Sequence, residues 1–474
     1  MCRGGYNQHK PPQLRDIALA LTFPPDCVTP TTLMSHLLAR LQKLPREIRL
    51  GVIGVGNIGK GIVLQAQVTP GIDCVAIADI RIDRAIGWAS ALGREYLVVD
   101  SQAAMHDAIR SGKLAVCTDG LLIAACDFVD VQVDATYSVI GGLSFALDAI
   151  AHHKHVIMMN SEADVIFGPH LLARARREGV VYTSADGDQH TVIKRLINEV
   201  ELWGFRTVLA GNMKGYLDRY SSPTSIVPEA DRRFMDYKMC TSYTDGTKLC
   251  IEMALIANAI GARTLVPGML GPAVTDVYEV FQRFDFAAIW DGTTPLVDYV
   301  LGAHPPGGVF VVGFNDHPHQ METLGWYPCR LGSGPFYVFH RPYHLGHIET
   351  MACIAEAFLD GSAALQPDRG MLTNVYAYAK NDLQPGDVLD GIGGYRAYGL
   401  IENVSANRAL PGLPICLSEG IALRHALRKD AKIHIDDILL PPQDPGWKAY
   451  DEALRAGSGI IEGPRKPISP PPAT

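Results

Sequence analysis

From Ile48 the chain runs Ile-Arg-Leu-Gly-Val-Ile, almost unbroken apolar, then passes through three glycines into a segment that suits a helix. A second apolar run, Cys-Val-Ala-Ile-Ala, follows and ends on Asp79. A short apolar run, a turn, a helical stretch and another apolar run predict two buried parallel strands joined by a helix. The same reading predicts strands over 128–135, 155–159, 180–184, 205–211 and 308–313. It predicts helices over 81–92, 101–111 (stopped by Gly112), 141–152, 170–178, 191–203, 275–285 and 347–359, and a helix start at Pro228. Upstream, Leu33, Leu37, Leu38, Leu41 and Leu44 recur at helical spacing from Thr31. Thr244-Asp-Gly-Thr247 reads as a hairpin turn and Lys248 to Ala254 as the strand after it, with Glu252 inside the apolar run. Strands alternating with helices predict the α/β class and a doubly wound parallel sheet. Beyond Pro367 the style changes to short apolar pieces separated by glycine and proline, a small β-rich module. Ala379 to Leu389 has a partial echo in Leu427 to Ile438.

The glycines give the first element a chemical meaning. Gly54, Gly56 and Gly59 fall between the strand and the helix, and Asp79 lies 20 residues beyond Gly59. In that setting they form a dinucleotide fingerprint, so the sheet is expected to be a Rossmann domain. Gly54 serves the tight turn, Gly56 the close approach of a pyrophosphate and Gly59 the packing of helix on sheet. Asn57 and Ile58 complete the turn, and the helix start offers free N–H groups to phosphate. Asp79 would accept from the adenosine ribose, which favours NAD. Arg81 and Arg84 would clamp a 2′-phosphate, which favours NADP, the cofactor towards which the reading leans. Ala135 and Thr136 end a strand of the same sheet. The polar group Asn160-Ser-Glu162-Ala163-Asp164 follows the next strand and either lines the crevice or is a solvated loop, since Asp and Asn also serve as N-caps.

Composition narrows the class. The 474 residues are long enough for about three domains. A formal charge of −8 with no basic face argues against a nucleic-acid partner. Ten scattered cysteines without a Cys-x-x-Cys pair read as free thiols of a reducing compartment, so a cytoplasmic location is expected. No apolar stretch approaches the length of a membrane span. The expected division is a flexible extension and lead-in helix (1–44), nucleotide domain (45–184), catalytic domain (185–366), β-rich module (367–442) and tail (443–474). The first 33 residues are read as a flexible extension, or as an over-long start with Met34 the natural beginning. The helix closing the catalytic domain is expected to pack back on the nucleotide domain. The tail from Pro464 is proline-rich and expected to be disordered.

Candidate chemistry concentrates after the nucleotide domain. Asp186 and Asp188 either cap the next helix or hold a divalent cation with a substrate oxygen. Lys214, just past a strand and next to Gly215, suits the proton donor to a carbonyl that accepts hydride; the alternative is a surface lysine. Glu252 in an apolar run is costly unless paired, so it is a site residue or an ion-pair partner. Arg341, flanked by His340 and His344, suits a clamp on phosphate or carboxylate, or else a structural helix cap.

Four blocks together resemble a known family: His155-Val-Ile-Met-Met-Asn160-Ser-Glu162-Ala-Asp164, Glu229-Ala-Asp231-Arg-Arg, Glu252-Met-Ala-Leu-Ile-Ala-Asn258-Ala, and Gly334-Pro-Phe-Tyr-Val-Phe-His340-Arg341-Pro-Tyr-His344. The chain resembles homoserine-dehydrogenase-like oxidoreductases with a C-terminal SAF domain, and in particular the DXR-like branch, a second type of 1-deoxy-D-xylulose 5-phosphate reductoisomerase. The resemblance covers about Met34 to Pro441. It implies a Rossmann domain, an α+β catalytic domain whose sheet mediates dimer contacts, and a SAF module. It also implies NADPH-dependent reduction of a small polar substrate with a divalent metal (Mg or Mn). The chain departs from that branch at Asn212, where a lysine would stand, and at Tyr137, where a glycine would stand. Both changes touch the expected pocket and place the reductoisomerase activity in question. Within the resemblance, Lys214 would handle the alkoxide proton, Asp231 and Glu252 would orient it or bind hydroxyls, and Arg341 with His340 or His344 would hold an anionic group. Two other readings stay open: a homoserine-dehydrogenase-like activity, and a non-catalytic NAD(P)H-binding regulatory protein. The expected assembly is a homodimer or higher homo-oligomer.

Overall fold

A computed structural model describes residues 36–327, 330–404, 411–439 and 444–457. The extension at 1–33 and the tail from Pro464 lie outside the described residues; of the expected lead-in helix, His36–Leu41 is described.

Seven strands form the first sheet: β1 (Ile48–Ile53), β2 (Ile72–Ala78), β3 (Tyr96–Val98), β4 (Leu114–Cys117), β5 (Val131–Asp134), β6 (His155–Met158) and β7 (Tyr182–Ser184). They pair in parallel in the order β3-β4-β2-β1-β5-β6-β7. β1 lies between β2 and β5, so the order reverses there and a crevice opens above its carboxyl end. This is the doubly wound sheet that the alternating pattern predicts. β5 is shorter than the run that announced it: Phe128 to Asp130 form the turn leading in. β3 and β4 had no reading of their own, because runs of three and four residues are too short to show a period.

The second sheet holds β8 (Arg206–Lys214), β9 (Leu296–Leu301), β10 (Val309–Phe314) and β11 (Phe336–Arg341) in the order β11-β10-β8-β9. β8 and β9 are parallel and the other pairs antiparallel. Helix Gln189–Leu202 joins the two sheets and packs on β8 and β10. Val277, Val280, Phe284 and Phe286 build a separate core with Val208, Phe310 and Val312. The helix expected over 275–285 is a 3-10 turn, Val277–Glu279, followed by the single helical turn Val280–Arg283.

Two expectations are corrected. Residues 244–254 are not a hairpin and strand but the junction of helices Tyr237–Thr244 and Thr247–Ile260. Gly246 takes φ +86° between them, and an Asp-Gly pair serves such a break as well as a hairpin. Every residue from Thr247 to Ala259 is buried, so the helix has no polar stripe from which its period could be read. The group from Asn160 to Asp164 is likewise not a loop. It opens helix Ser161–Glu178, whose first half was hidden by Pro169, a residue that ordinarily breaks a helix interior.

Helix Gly346–Asp360 returns to the first sheet. Met351, Ile354 and Ala355 join its core, and Gly61 lets the helix close in, since a Cβ there would lie 2.4 Å from the His347 ring. The last part is β-rich: β12 (Thr373–Ala379) pairs antiparallel with β13 (Ala397–Asn403). The two echoing segments run side by side through the bridge Leu383–Leu427. Within the expected tail, residues 445–457 form a helix instead. It packs on helix Ser161–Glu178, with Asn374 Nδ2 donating to Tyr450 Oη at 3.0 Å. Among the described residues no helix is long and apolar enough to cross a membrane.

Candidate active site

The glycine turn is built for close approach. Gly54 adopts φ +92°, and a Cβ there would lie 2.8 Å from the Ala135 carbonyl. A Cβ on Gly59 would fall 1.8 Å from the Gly54 oxygen, whereas one on Gly56 would meet nothing within 4 Å. The first and third glycines are thus forced by the protein itself, and the second faces open space where phosphates fit. Helix Asn57–Val68 begins there without a side-chain cap, which leaves its first N–H groups free. Gly59→Ala is expected to weaken NADPH binding by about tenfold or more, because the backbone clash must push the turn open. A cofactor fluorescence titration reads this, and wild-type affinity in the variant would refute the assignment.

Asp79 is engaged by the protein itself. It is only 7% exposed and accepts from Val55 N–H and Arg81 N–H, both at 2.9 Å, with Arg84 at 3.6 Å. Its carboxylate therefore pins the glycine turn to the end of β2, and Arg84 offsets its charge. Arg81, Asn57 and Ile58 are exposed at the rim, with Asn57 Nδ2 donating to the Phe234 carbonyl at 2.9 Å.

Across the crevice, Ala135 and Thr136 form its half-buried floor. Asp134 beneath them accepts from Thr136 N–H at 2.9 Å and from Asn160 Nδ2 at 3.1 Å; burial pushes its carboxyl up to about 6. Asn160 and Ala163 are fully buried, and Asn160 accepts from Ala163 N–H as the helix cap. Both hold the floor in place. Tyr137 is 61% exposed.

Beyond the floor the carboxyl ends of β6, β7 and β8 deliver charge to one place. Lys248 Nζ donates to Ser161 Oγ and to Glu162 Oε1, the latter at 3.1 Å. Burial works against its ammonium, but Glu162, Tyr243 and Asp188 outweigh it and raise its pKa. Glu252, one helical turn on, is pushed up to about 8, first by burial and then by Asp188, against the opposing pull of Lys248 and Lys214. Lys214 ends β8 with its ammonium 5.8 Å from the centre of the Tyr243 ring. Burial lowers its pKa, and Arg233 adds to this while Glu252 opposes it. Asp188 caps helix Gln189–Leu202 through Gln189 N–H at 2.9 Å. Burial would raise its pKa, yet neighbouring cations including Lys248 hold it below the usual carboxylate range. Asn212, where the resemblance led one to expect lysine, is buried and donates to Gln189 Oε1 at 2.6 Å. It therefore fixes β8 to the helix start.

Of the expected catalytic residues, Lys214 and Glu252 come together here, and His344 stands within electrostatic reach of Asp188 while its Nδ1 lies 2.6 Å from the Gly307 carbonyl. Three do not. Asp231 is exposed and accepts from Tyr237 Oη at 3.0 Å. His340 packs edge-on against Tyr278, 5.5 Å between ring centres, because alternation along β11 turns it away from its neighbours. Arg341 donates to Glu349 at 2.7 Å and lies over Tyr343, so its clamp is already engaged by the protein. His190, Lys248 and Tyr243 of this cluster were not singled out from the sequence, whereas Asp188 was read as a helix cap or a cation ligand. The available signal was a lysine and a glutamate four apart in an apolar run, Lys248 and Glu252, which share a helix face.

The expected metal does not fit this arrangement. Asp186 is taken by Arg195 at 2.7 Å, which also reaches Glu356 at 2.6 Å, and Glu162 by Lys248. Among the described residues no three His, Cys, Asp or Glu side chains are arranged to hold a metal ion.

Residues 187–350, which span β8 to β11 and the charged cluster's second half, match a family model described as the catalytic domain of the oxidoreductase DRL. Joined to a dinucleotide-type sheet with its glycine turn, that domain makes the chain an NAD(P)-dependent oxidoreductase. No curated protein matches the sequence. Among solved structures, the chain is similar to a probable dehydrogenase from Thermotoga maritima at 13% identity, covering 68% of this chain and 91% of that one with a TM-score of 0.39. It is also similar to a myo-inositol dehydrogenase from Corynebacterium glutamicum ATCC 13032, at 11% identity, 66% and 89% coverage and a TM-score of 0.38. A DOX-P reductoisomerase with fosmidomycin and magnesium is similar at 15% identity, 65% and 78% coverage and a TM-score of 0.35.

Proposed function

We propose that this chain interconverts a carbonyl and an alcohol on a small polar substrate, with Lys214 handling the proton. The observation that carries the reading is the Lys214–Glu252 pair: a half-buried amine with a lowered pKa at the carboxyl end of β8, interacting electrostatically with a buried carboxyl with a raised one. The nicotinamide, when bound, supplies or accepts the hydride. The glycine turn would hold its phosphates, and Thr136 with Ala135 would support its ring end. Lys214 would place a proton on the substrate oxygen during reduction and remove it during oxidation. Glu252 would return that proton to Lys214. Lys248, fixed by Glu162, would hold a positive charge beside the developing oxyanion. Arg84 partly neutralises Asp79, and Arg81 is free at the rim, which supports the lean towards NADP.

The DXR-like reading names the substrate class as a sugar-phosphate-like hydroxycarbonyl compound. A metal-assisted rearrangement is not part of it, because Asp186 is matched to Arg195 and Glu162 to Lys248. The β-rich module, which the resemblance implies is a SAF domain, would act as a clamp on helix Thr247–Ile260. Gly399 N–H donates to Thr247 Oγ1 at 2.8 Å, and Asn258 Oδ1 accepts from Leu372 and Thr373 N–H.

The test is the loss of nicotinamide absorbance with purified protein. NADPH and NADH are each offered with 1-deoxy-D-xylulose 5-phosphate, aspartate semialdehyde and a wider carbonyl panel, with and without magnesium or manganese. Oxidation that disappears in Lys214→Ala supports the reading, and the better cofactor settles the NADP preference. Oxidation with the semialdehyde alone would favour the homoserine-dehydrogenase-like activity. Silence across the panel in protein that binds cofactor would overturn catalysis and leave a binding protein.

The pH profile carries a sign. Glu252 raises the Lys214 pKa, so Glu252→Gln lets the amine lose its proton at lower pH. The alkaline limb of carbonyl reduction is therefore expected to move to lower pH in Glu252→Gln. A limb that stays in place or moves up would remove Glu252 from the relay.

A further inference from the structure

We propose that His190 is a substrate-binding residue that reads a hydroxyl group beside the reacting carbon, not a phosphate or carboxylate. This rests on the oxidoreductase reading of the same site and adds to it the group that selects the substrate. His190 is the second residue of helix Gln189–Leu202 and is 1% exposed. Among the described residues neither of its ring nitrogens has a hydrogen-bond partner. The Asp188 carboxylate is 3.9 Å from Nδ1, outside hydrogen-bond range. Leaving such a group buried and unbonded costs about 1–3 kcal/mol.

Several of its polar neighbours are matched where it is not, while Thr191 Oγ1 beside it is also without a partner among the described residues. Lys248 is held by Ser161 and Glu162, Asn212 by Gln189, and the His344 ring nitrogen lies against the Gly307 carbonyl. The imidazole interacts electrostatically with Asp188, Lys248, Glu162 and His344, so it stands inside the charged cluster rather than in an apolar core. Burial, the largest influence on it, holds the ring neutral, with its pKa lowered to about 4. A neutral imidazole presents one N–H and one lone pair. An alcohol satisfies both, since its oxygen accepts and its hydrogen donates. A phosphate dianion or a carboxylate only accepts, would leave the second nitrogen orphaned, and would meet Glu162 and Asp188 as like charges.

The experiment is ligand-observed NMR on NADPH-loaded protein, which needs no turnover. The probes are D-xylulose, xylitol and myo-inositol on one side, and inorganic phosphate and succinate on the other. Wild type is expected to bind at least one hydroxylated probe. His190→Leu is expected to weaken that binding at least tenfold, and His190→Gln, which keeps a donor and an acceptor, to restore most of it, with NADPH affinity unchanged in both and no loss of Tm in either. Equal binding by His190→Leu and wild type would overturn the proposal, as would a Gln variant no better than Leu. So would the absence of binding by every hydroxylated probe, or preference for phosphate or succinate. Should the Leu variant not fold, the wild-type probe comparison and the Gln variant still decide. Loss of hydride transfer with probe binding intact would strike the oxidoreductase reading and leave this one standing.

Discussion

Lys214→Met is expected to lower kcat for carbonyl reduction by about 10²–10⁴-fold, the usual loss of a positioned general acid, while cofactor affinity stays as in wild type. The separation follows from position. Lys214 ends β8 in the second sheet, whereas the phosphate-binding turn belongs to the first sheet. Methionine matches the length of the lysine stem, so packing against Tyr243 survives and the ammonium alone is lost. Burial makes that ammonium a better acid than a surface lysine, because desolvation disfavours its charge. The Asn212–Gln189 pair and the Lys248–Glu162 pair do not depend on it, so the cleft should keep its shape. Stopped-flow reduction under saturating NADPH separates the chemical step from binding. An unchanged rate of that step would exclude Lys214 as the acid. A parallel loss of NADPH affinity would instead mean that the substitution disturbs the junction between the sheets.

The two halves of this site were unequally legible. The glycine turn could be read because three residue types at fixed spacing are each forced by backbone geometry: Gly54 by its positive φ, Gly59 by contact with the Gly54 oxygen. The strands of the first sheet could be read because burial on both faces writes apolar runs. Burial also hid what was missed. Helix Thr247–Ile260 is surrounded on all sides, so its run carries no 3.6-residue period, and Lys248 passed as the start of a strand. Helix Ser161–Glu178 was cut short by Pro169. His340 and Arg341 were drawn to the site by composition, but what decides their place is which face of β11 each occupies and that Glu349 already holds Arg341. Whether a basic residue is free or already paired is a tertiary fact. No spacing along the chain contains it, and the same holds for His190, whose significance is the absence of partners.

Lys380→Met is expected to destabilise the fold by about 3–5 kcal/mol, the cost of leaving one buried charge without its partner. Lys380 projects from the β-rich module and is buried, as is Asp245, which it meets at 2.9 Å. Its Nζ also donates to the carbonyls of Ser221 at 2.7 Å and Gly394 at 2.8 Å. Asp245 lies at the break before helix Thr247–Ile260 and accepts from Thr247 N–H at 2.9 Å. That helix carries Lys248 and Glu252, so the ion pair sits at the foot of the candidate site, and the module that supplies the lysine supports that helix. The double variant Lys380→Met with Asp245→Asn removes both charges and should recover part of the loss, because the desolvation cost disappears with the attraction. Urea denaturation of the two single variants, the double variant and wild type closes this cycle. A single variant within about 1 kcal/mol of wild type, the range of an exposed ion pair, would mean that the pair is solvated and that the module does not brace the helix. A double variant as unstable as Lys380→Met would place the lost stability in the two carbonyl contacts instead, and the clamp would then act on the Ser221 loop rather than on the helix.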